Sequence, residues 1–222
     1  MDAAAHPAST PYNVDHPFGA VDTKKLGMWL FLGSDAMGFT GLLGAYAVLR
    51  LGAGDHWQEL VRDGQAVFID MEGSRNLTFF NTFLLICSSV TMVLALKNLR
   101  LGNMGKFKGF LAATMCGGIG FLSLQAIEWT HLMSPLPHGM GVTAPSCNFG
   151  GTFYMLTGYH GFHVFGGVCL LAWALVRAMK GVYSPKNSVG IEVVGLYWHF
   201  VDLVWIILFT LIYLLPGKGG PA

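Results

Sequence analysis

The sequence predicts an all-α integral membrane protein: a five-transmembrane-helix bundle with its N-terminus in the cytoplasm and its C-terminus in the periplasm. Three observations point there. Five apolar runs of about 20 residues are each long enough to cross the hydrocarbon core of a bilayer as a helix. Of the 222 residues, 53% are hydrophobic and only 11% are charged, whereas a soluble domain carries about 25% charged residues. The runs are also continuous rather than alternating, which excludes a transmembrane β-barrel.

Residues 1–23 are polar, contain Pro7, Pro11 and Pro17, and have no apolar core. They read as a cytoplasmic segment and not as a cleavable signal peptide. The membrane domain is expected over 24–216. Its first run, 26–49, is interrupted only by Asp35, and the second, 77–96, has no charge. The third, 109–132, has Glu128 near its far end. The fourth, 149–176, holds Tyr154, Tyr159, His160, His163 and Cys169 as its titratable groups, and the fifth, 193–215, contains His199 and Asp202. Residues 217–222 form a C-terminal tail. The connections are short and rich in glycine, proline and charge. No internal repeat is visible, and there is no room for a soluble domain.

Orientation follows from the basic residues, which favour the cytoplasmic side. Five crossings put Lys24, Lys25, Lys97, Arg100, Lys106, Lys108, Arg177, Lys180 and Lys186 on one face, against Arg50, Arg62, Arg75 and Lys218 on the other. The first face is expected to be cytoplasmic.

The net charge of +1 excludes a nucleic-acid binder working through bulk electrostatics. Cys87, Cys116, Cys147 and Cys169 share no C-x-x-C spacing, and three lie in apolar stretches. They are expected to be buried as small hydrophobes, not to form a disulfide framework or a zinc knuckle.

Ionisable groups at membrane depth are costly, so each is a functional candidate. Asp35 lies eleven residues past Lys24, roughly 16 Å along a helix. Asp202 lies about as deep in the fifth run, and His160 and His163 sit near the middle of the fourth. The pairs His160/His163 and His199/Asp202 are three apart, so each shares a helix face. On the third run Phe121, Gln125 and Glu128 line one stripe, as do Glu192, Gly195, His199 and Asp202 on the fifth. Such a cluster reads first as a hydrogen-bonded network that holds helices in register, then as a proton-handling site, then as a metal or haem site. The metal signals are short: Glu128-Trp129-Thr130-His131 is one Glu-x-x-His where di-iron bundles need two, and His160-x-x-His163 lacks a third zinc ligand. Glycines such as Gly38, Gly118, Gly158 and Gly167 point to close helix packing. Trp57 and Trp129 are expected at the interfaces, while Trp198 and Trp205 are expected to face lipid or a partner. Asn81 and Ser88, seven apart, suggest a polar stripe on the second helix.

Gly195-Leu-Tyr-Trp-His-Phe-Val-Asp-Leu-Val-Trp205 closely resembles the last helix of cytochrome c oxidase subunit III and its quinol-oxidase relatives. Phe153 to Val164 resembles the family's histidine-bearing helix. Gly27 to Met37 resembles the helix with its buried carboxylate, and Asn81-Thr82 with Ser88-Ser89 and Gln125-x-x-Glu128-Trp129 fit two more. The resemblance spans residues 24 to 215. It implies the non-catalytic third subunit of an aerobic respiratory haem-copper oxidase in the bacterial cytoplasmic membrane. Such a chain carries no haem or copper of its own; these sit in partner subunits. The implied partners are oxidase subunits I and II and membrane phospholipid; a small subunit IV and a respiratory supercomplex stay open. The implied roles are to stabilise subunit I, support cytoplasmic proton uptake, and hold lipid in a cleft that guides oxygen. Carried over by position, Asp35 matches the family's buried glutamate, and His160, His163, His199 and Asp202 match its polar core. Asp35 is one methylene shorter than that glutamate. The seven-helix form's two extra N-terminal helices are absent, so no lipid-binding residue is assigned. A nitric-oxide-reductase accessory chain and an intramembrane metalloenzyme built on His160, His163, His199 and Glu128 are the alternatives.

Overall fold

The computed structural model describes residues 22–57, 59–62, 65–68, 72–134, 141–143 and 147–215. The C-terminal tail and nearly all of the polar N-terminal segment lie outside the described residues. The described residues form α1 (Thr23–Ala53), α2 (Glu72–Arg100), α3 (Met104–Met133), α4 (Asn148–Met179) and α5 (Val189–Phe209), which runs on into one π-helical turn, Thr210–Leu214. All five helices are long and apolar enough to cross a membrane. Each begins before its apolar run, because the helix continues into the polar residues that flank it. At the start of α1 the Asp22 carboxylate accepts from Lys24 N at 2.9 Å, satisfying one of the free amides of a first turn. Gly54, at φ 55°, ends that helix, where a left-handed residue is needed. Gly102, at φ 78°, lets α2 turn directly into α3.

Short connections make sequence neighbours antiparallel, and α2 and α3 form the most extensive pair. α3 continues onto α4, and α1 lies against α4 and α5. α5 is the hub, touching α1, α2 and α4. α1 and α2 scarcely meet, which leaves a cleft between them backed by α5. Between α1 and α2 the chain also makes a short antiparallel hairpin, β1 (Glu59–Arg62) with β2 (Gln65–Phe68). No strand is expected there from the apolar pattern, although Asp63-Gly64 between the strands is a favoured hairpin dipeptide.

The interior corrects the expectation for two tryptophans. Trp198 and Trp205 are buried rather than turned to lipid or a partner. Their indole N–H groups donate across to α2, Trp198 Nε1 to Ser88 Oγ at 3.0 Å and Trp205 Nε1 to Thr82 Oγ1 at 3.0 Å. Glycine makes the room: a Cβ on Gly118 would lie 2.5 Å from Trp198 Cη2, and one on Gly167 2.8 Å from Trp198 Cζ3. Trp57 is likewise buried, edge-on to Tyr46 and Phe149 at 5.4 and 6.1 Å. The cysteines go the other way. Cys87, Cys116 and Cys169 are on the surface, because an apolar run in a membrane helix has a lipid-facing side as well as a core side. Large side chains such as Trp29, Phe83, Phe162 and Leu203 are exposed around the bundle, as a hydrocarbon solvent allows.

Candidate functional site

The polar side chains in the bundle do not form one mid-membrane cluster. Their hydrogen bonds sort them into separate groups, each joining two or more helices.

In the first group α1 meets α4. His163 Nε2 lies 3.0 Å from Asp35 Oδ1, and the Tyr159 hydroxyl donates to the same oxygen at 3.2 Å. His163 Nδ1 is 2.8 Å from the Tyr159 carbonyl. A carbonyl oxygen only accepts, so Nδ1 carries a hydrogen. The contact between Nε2 and Asp35 then needs one further proton, held between imidazole and carboxylate. Tyr197 of α5 closes the group by donating to the His163 carbonyl at 2.9 Å. The one methylene that aspartate lacks relative to glutamate does not keep Asp35 from the histidine.

In the second group α5 meets α2. His199 Nδ1 lies 3.2 Å from Ser89 Oγ, and Asp202 is buried one helical turn further along the same face of α5.

In the third group three helices converge on Glu128. Thr78 of α2 and Tyr213 of the π-helical turn donate to Oε1 at 2.8 and 2.9 Å, and Gln125 Nε2 donates to Oε2 at 3.0 Å. Phe121, one turn along the same stripe, meets Trp205 edge-on at 4.7 Å.

His160 belongs to none of these. It is fully buried, stacked on Trp205 at 4.9 Å and edge-on to Phe121 at 5.7 Å. Neither ring nitrogen has a hydrogen-bond partner among the described residues. Depth alone puts His160 beside the carboxylates; its helix face turns it into an aromatic box instead. Among the described residues no three His, Cys, Asp or Glu side chains stand close enough to hold a metal ion.

A fourth group lies at the Lys-rich end of the cleft. Glu192 pairs with Lys25 of α1 and, at 2.6 Å, with Arg100 of α2, and it accepts from Ser188 at 2.9 Å. Behind it are two adjoining hollows of about 280 and 400 Å³ that share Leu196 and His199. The larger one is walled by Trp29, Leu32, Phe200 and Leu203.

Thr78, Ser89, Tyr213, Lys25 and Arg100 were not among the expected site residues. Thr78 lies three residues before Asn81 and so on nearly the same face of α2, whereas Ser89 directly follows Ser88 and the stripe does not single it out. Nothing local in the sequence brings Tyr213 to Glu128.

The sequence model for the family described as Cytochrome c oxidase subunit III matches residues 7–216. The chain belongs to the cytochrome c oxidase subunit III family. It is 35% identical over 197 residues to a cytochrome c oxidase subunit 3 of Bacillus subtilis, covering 88% of each chain. To a cytochrome c oxidase subunit 3 of Thermostichus vulcanus it is 33% identical, over 97% of this chain and 98% of that one. A quinol oxidase subunit 3 of Bacillus subtilis is 32% identical, with 88% of each chain covered. The match to the subunit III family thus takes in the whole bundle, all four polar groups included.

Proposed function

We propose that the chain is the redox-silent third subunit of a respiratory haem-copper oxidase in a bacterial cytoplasmic membrane, with its Lys-rich end in the cytoplasm. It buttresses the haem-bearing subunit I. The Asp35–His163 pair holds one exchangeable proton at mid-membrane, between α1 and α4. The observation that carries this reading is how the buried ionisable side chains are used. Asp35, His163, Glu128 and His199 each bind a polar group of this chain, an arrangement that joins helices. The cleft suits a phospholipid, with an apolar hollow for an acyl chain and Lys25 and Arg100 around Glu192 at its mouth.

The test is purification of the tagged chain in mild detergent, with an optical spectrum, subunit identification and metal analysis. Haem a, b or o, subunits I and II, and oxygen consumption are expected to come with it. Iron or zinc bound stoichiometrically to the single chain, or nitric-oxide reduction by the preparation, would overturn the reading. Assay with reduced cytochrome c against quinol then assigns the electron donor, since relatives of both names are similar to this chain.

A further inference from the structure

Glu192, Gly195, His199 and Asp202 share one face of α5, and the joining of helices accounts for only part of that stripe. Glu192 stands at the Lys-rich end, His199 about 10 Å further along the helix, and Asp202 one turn deeper. The smaller hollow of the cleft, about 280 Å³, connects the first two. Lys25, Arg100 and Glu192 line one end of it and His199 the other, with Gly195 and Leu196 between.

His199 differs from the two histidines of α4. Both nitrogens of His163 are engaged, one with Asp35 and one with the Tyr159 carbonyl. His160 is sealed between aromatic rings, with no water path to either nitrogen. In His199 only Nδ1 is held, by Ser89. Nε2 is not among the sealed polar atoms of the bundle, and the ring lines both hollows. In the tautomer that donates from Nδ1 to Ser89 Oγ, Nε2 is a bare acceptor. It can take up and release a proton there without breaking the bond to α2.

The charged and titratable groups around this ring come from three helices: Lys25 of α1, Arg100 of α2, and Glu192 and Asp202 of α5. Among the described residues α3 and α4 place no side chain in either hollow. The Lys25 and Arg100 side chains are 35% and 56% exposed, so water reaches the mouth. Charged groups are costly to dehydrate, and that end of the hollow stays wet. Its volume holds several waters at about 30 Å³ each. The larger hollow has no charged wall and is the one that suits an acyl chain.

We infer that His199 is a proton-exchange site, loaded from the Lys-rich aqueous side through water in the smaller hollow. A hydronium ion at the mouth passes its proton along this water to Nε2. The Nε2–H bond forms and a neutral water is left behind. The imidazolium keeps its Nδ1–H bond to Ser89, and Asp202, one turn on, is the carboxyl group that can balance the added charge. The reverse step returns the proton to water. Asp35 and His163 line neither hollow, so this site is separate from that pair. It is a property of this chain and stands whether or not the oxidase reading holds.

The test is deuterium exchange at the histidine ring C2–H, read by peptide mass spectrometry on the protein purified in mild detergent with its partners. That exchange proceeds through the protonated ring and needs water beside it. His199 is expected to exchange about tenfold or more faster than His160. Val93→Trp puts a large ring into the wall of the smaller hollow, at an exposed position, and is expected to slow His199 about tenfold. Val90→Trp, exposed on the same helix but lining neither hollow, should stay near wild type. A His199 as protected as His160 would overturn the assignment. So would a rate that Val93→Trp leaves unchanged, or equal slowing by both tryptophans. A His199 that becomes fast only after phospholipase strips bound lipid would overturn it too, because lipid and not water then fills the hollow. If Val93→Trp melts far below wild type, the ratio of His199 to His160 in the wild type decides.

Discussion

Trp198 is an amphipathic side chain that a lipid-facing surface would accept, yet it lies in the core. Its ring occupies space that only Gly118 and Gly167 leave open, and its N–H finds Ser88 Oγ. Adding one methyl at Gly118 must move both the ring and Val168 Cγ2, which lies 2.7 Å from the Cβ position. Gly118→Ala is therefore expected to cost about 1–3 kcal/mol, the usual penalty of overpacking. Gly41→Ala, with no neighbour within 4 Å, should be neutral or slightly stabilising, since alanine is the better helix former by up to about 1 kcal/mol. Thermal melts of the detergent-purified chain check this, and equal melting of the two variants would refute the packing argument. At Asp35 the discriminating pair of substitutions is asparagine against alanine. The carboxamide of Asp35→Asn would still offer His163 Nε2 and the Tyr159 hydroxyl a polar partner, whereas Asp35→Ala leaves both unpaired, at about 1–3 kcal/mol. If both variants melt alike, the Asp35–His163 contact contributes little to stability.

At the scale of the element, α1 is the helix with least of its surface buried. Lipid supplies no hydrophobic drive between helices, so polar contacts at three depths hold α1 in place. Lys25 binds Glu192 at one end and Asp35 binds His163 in the middle. At the other end the Arg50 guanidinium donates to the Leu211 and Leu215 carbonyls at 3.1 Å each and to the Tyr46 hydroxyl at 2.6 Å. Tyr46 itself donates to the Leu211 carbonyl at 2.9 Å. The last carbonyls of a helix lack intrahelical partners, and a cation there is favourable. Arg50 thus caps the π-helical turn that also presents Tyr213 to Glu128. Arg50→Met is expected to loosen α1 against α5 at that end only. Spin labels near residues 48 and 214 should show a broader distance distribution in the variant, while a pair near 26 and 193 stays unchanged. Broadening at both ends would mean that Arg50 is not a local clamp.

At the scale of the molecule, α5 holds the helices together, while the cleft between α1 and α2 is closed at its mouth by charge. Glu192 balances two cations there, and it is more buried than either of them. Exposed ion pairs contribute about 0–1 kcal/mol, and screening by salt weakens them further. Glu192→Gln is expected to lower stability by about 1 kcal/mol in low salt. The gap to wild type should narrow as salt rises; a gap that does not change with salt would assign Glu192 a packing role instead.

Much of this was legible in advance. The number and order of the helices follow from five apolar runs, because a bilayer demands about 20 apolar residues per crossing regardless of what they pack against. That Asp35, Glu128 and the histidines pair inside the bundle also follows in the main, since lone polar groups in hydrocarbon are costly to leave unpaired; His160, boxed by aromatic rings, is the exception. Periodicity put Gln125 and Glu128 on one face and gave α2 its Asn81/Ser88 stripe. The choice of partners did not follow. Depth alone allowed Asp35 to meet His163 or His199, and His160 to join either. The rotation of α4 about its axis decided for His163 and turned His160 into its aromatic box. The burial of Trp198 and Trp205 was decided the same way, with glycines on two other helices making room for Trp198. Lipid solvates every side of an apolar helix equally well, so a sequence can fix which segments cross the membrane, but only contact between helices fixes which sides face inward.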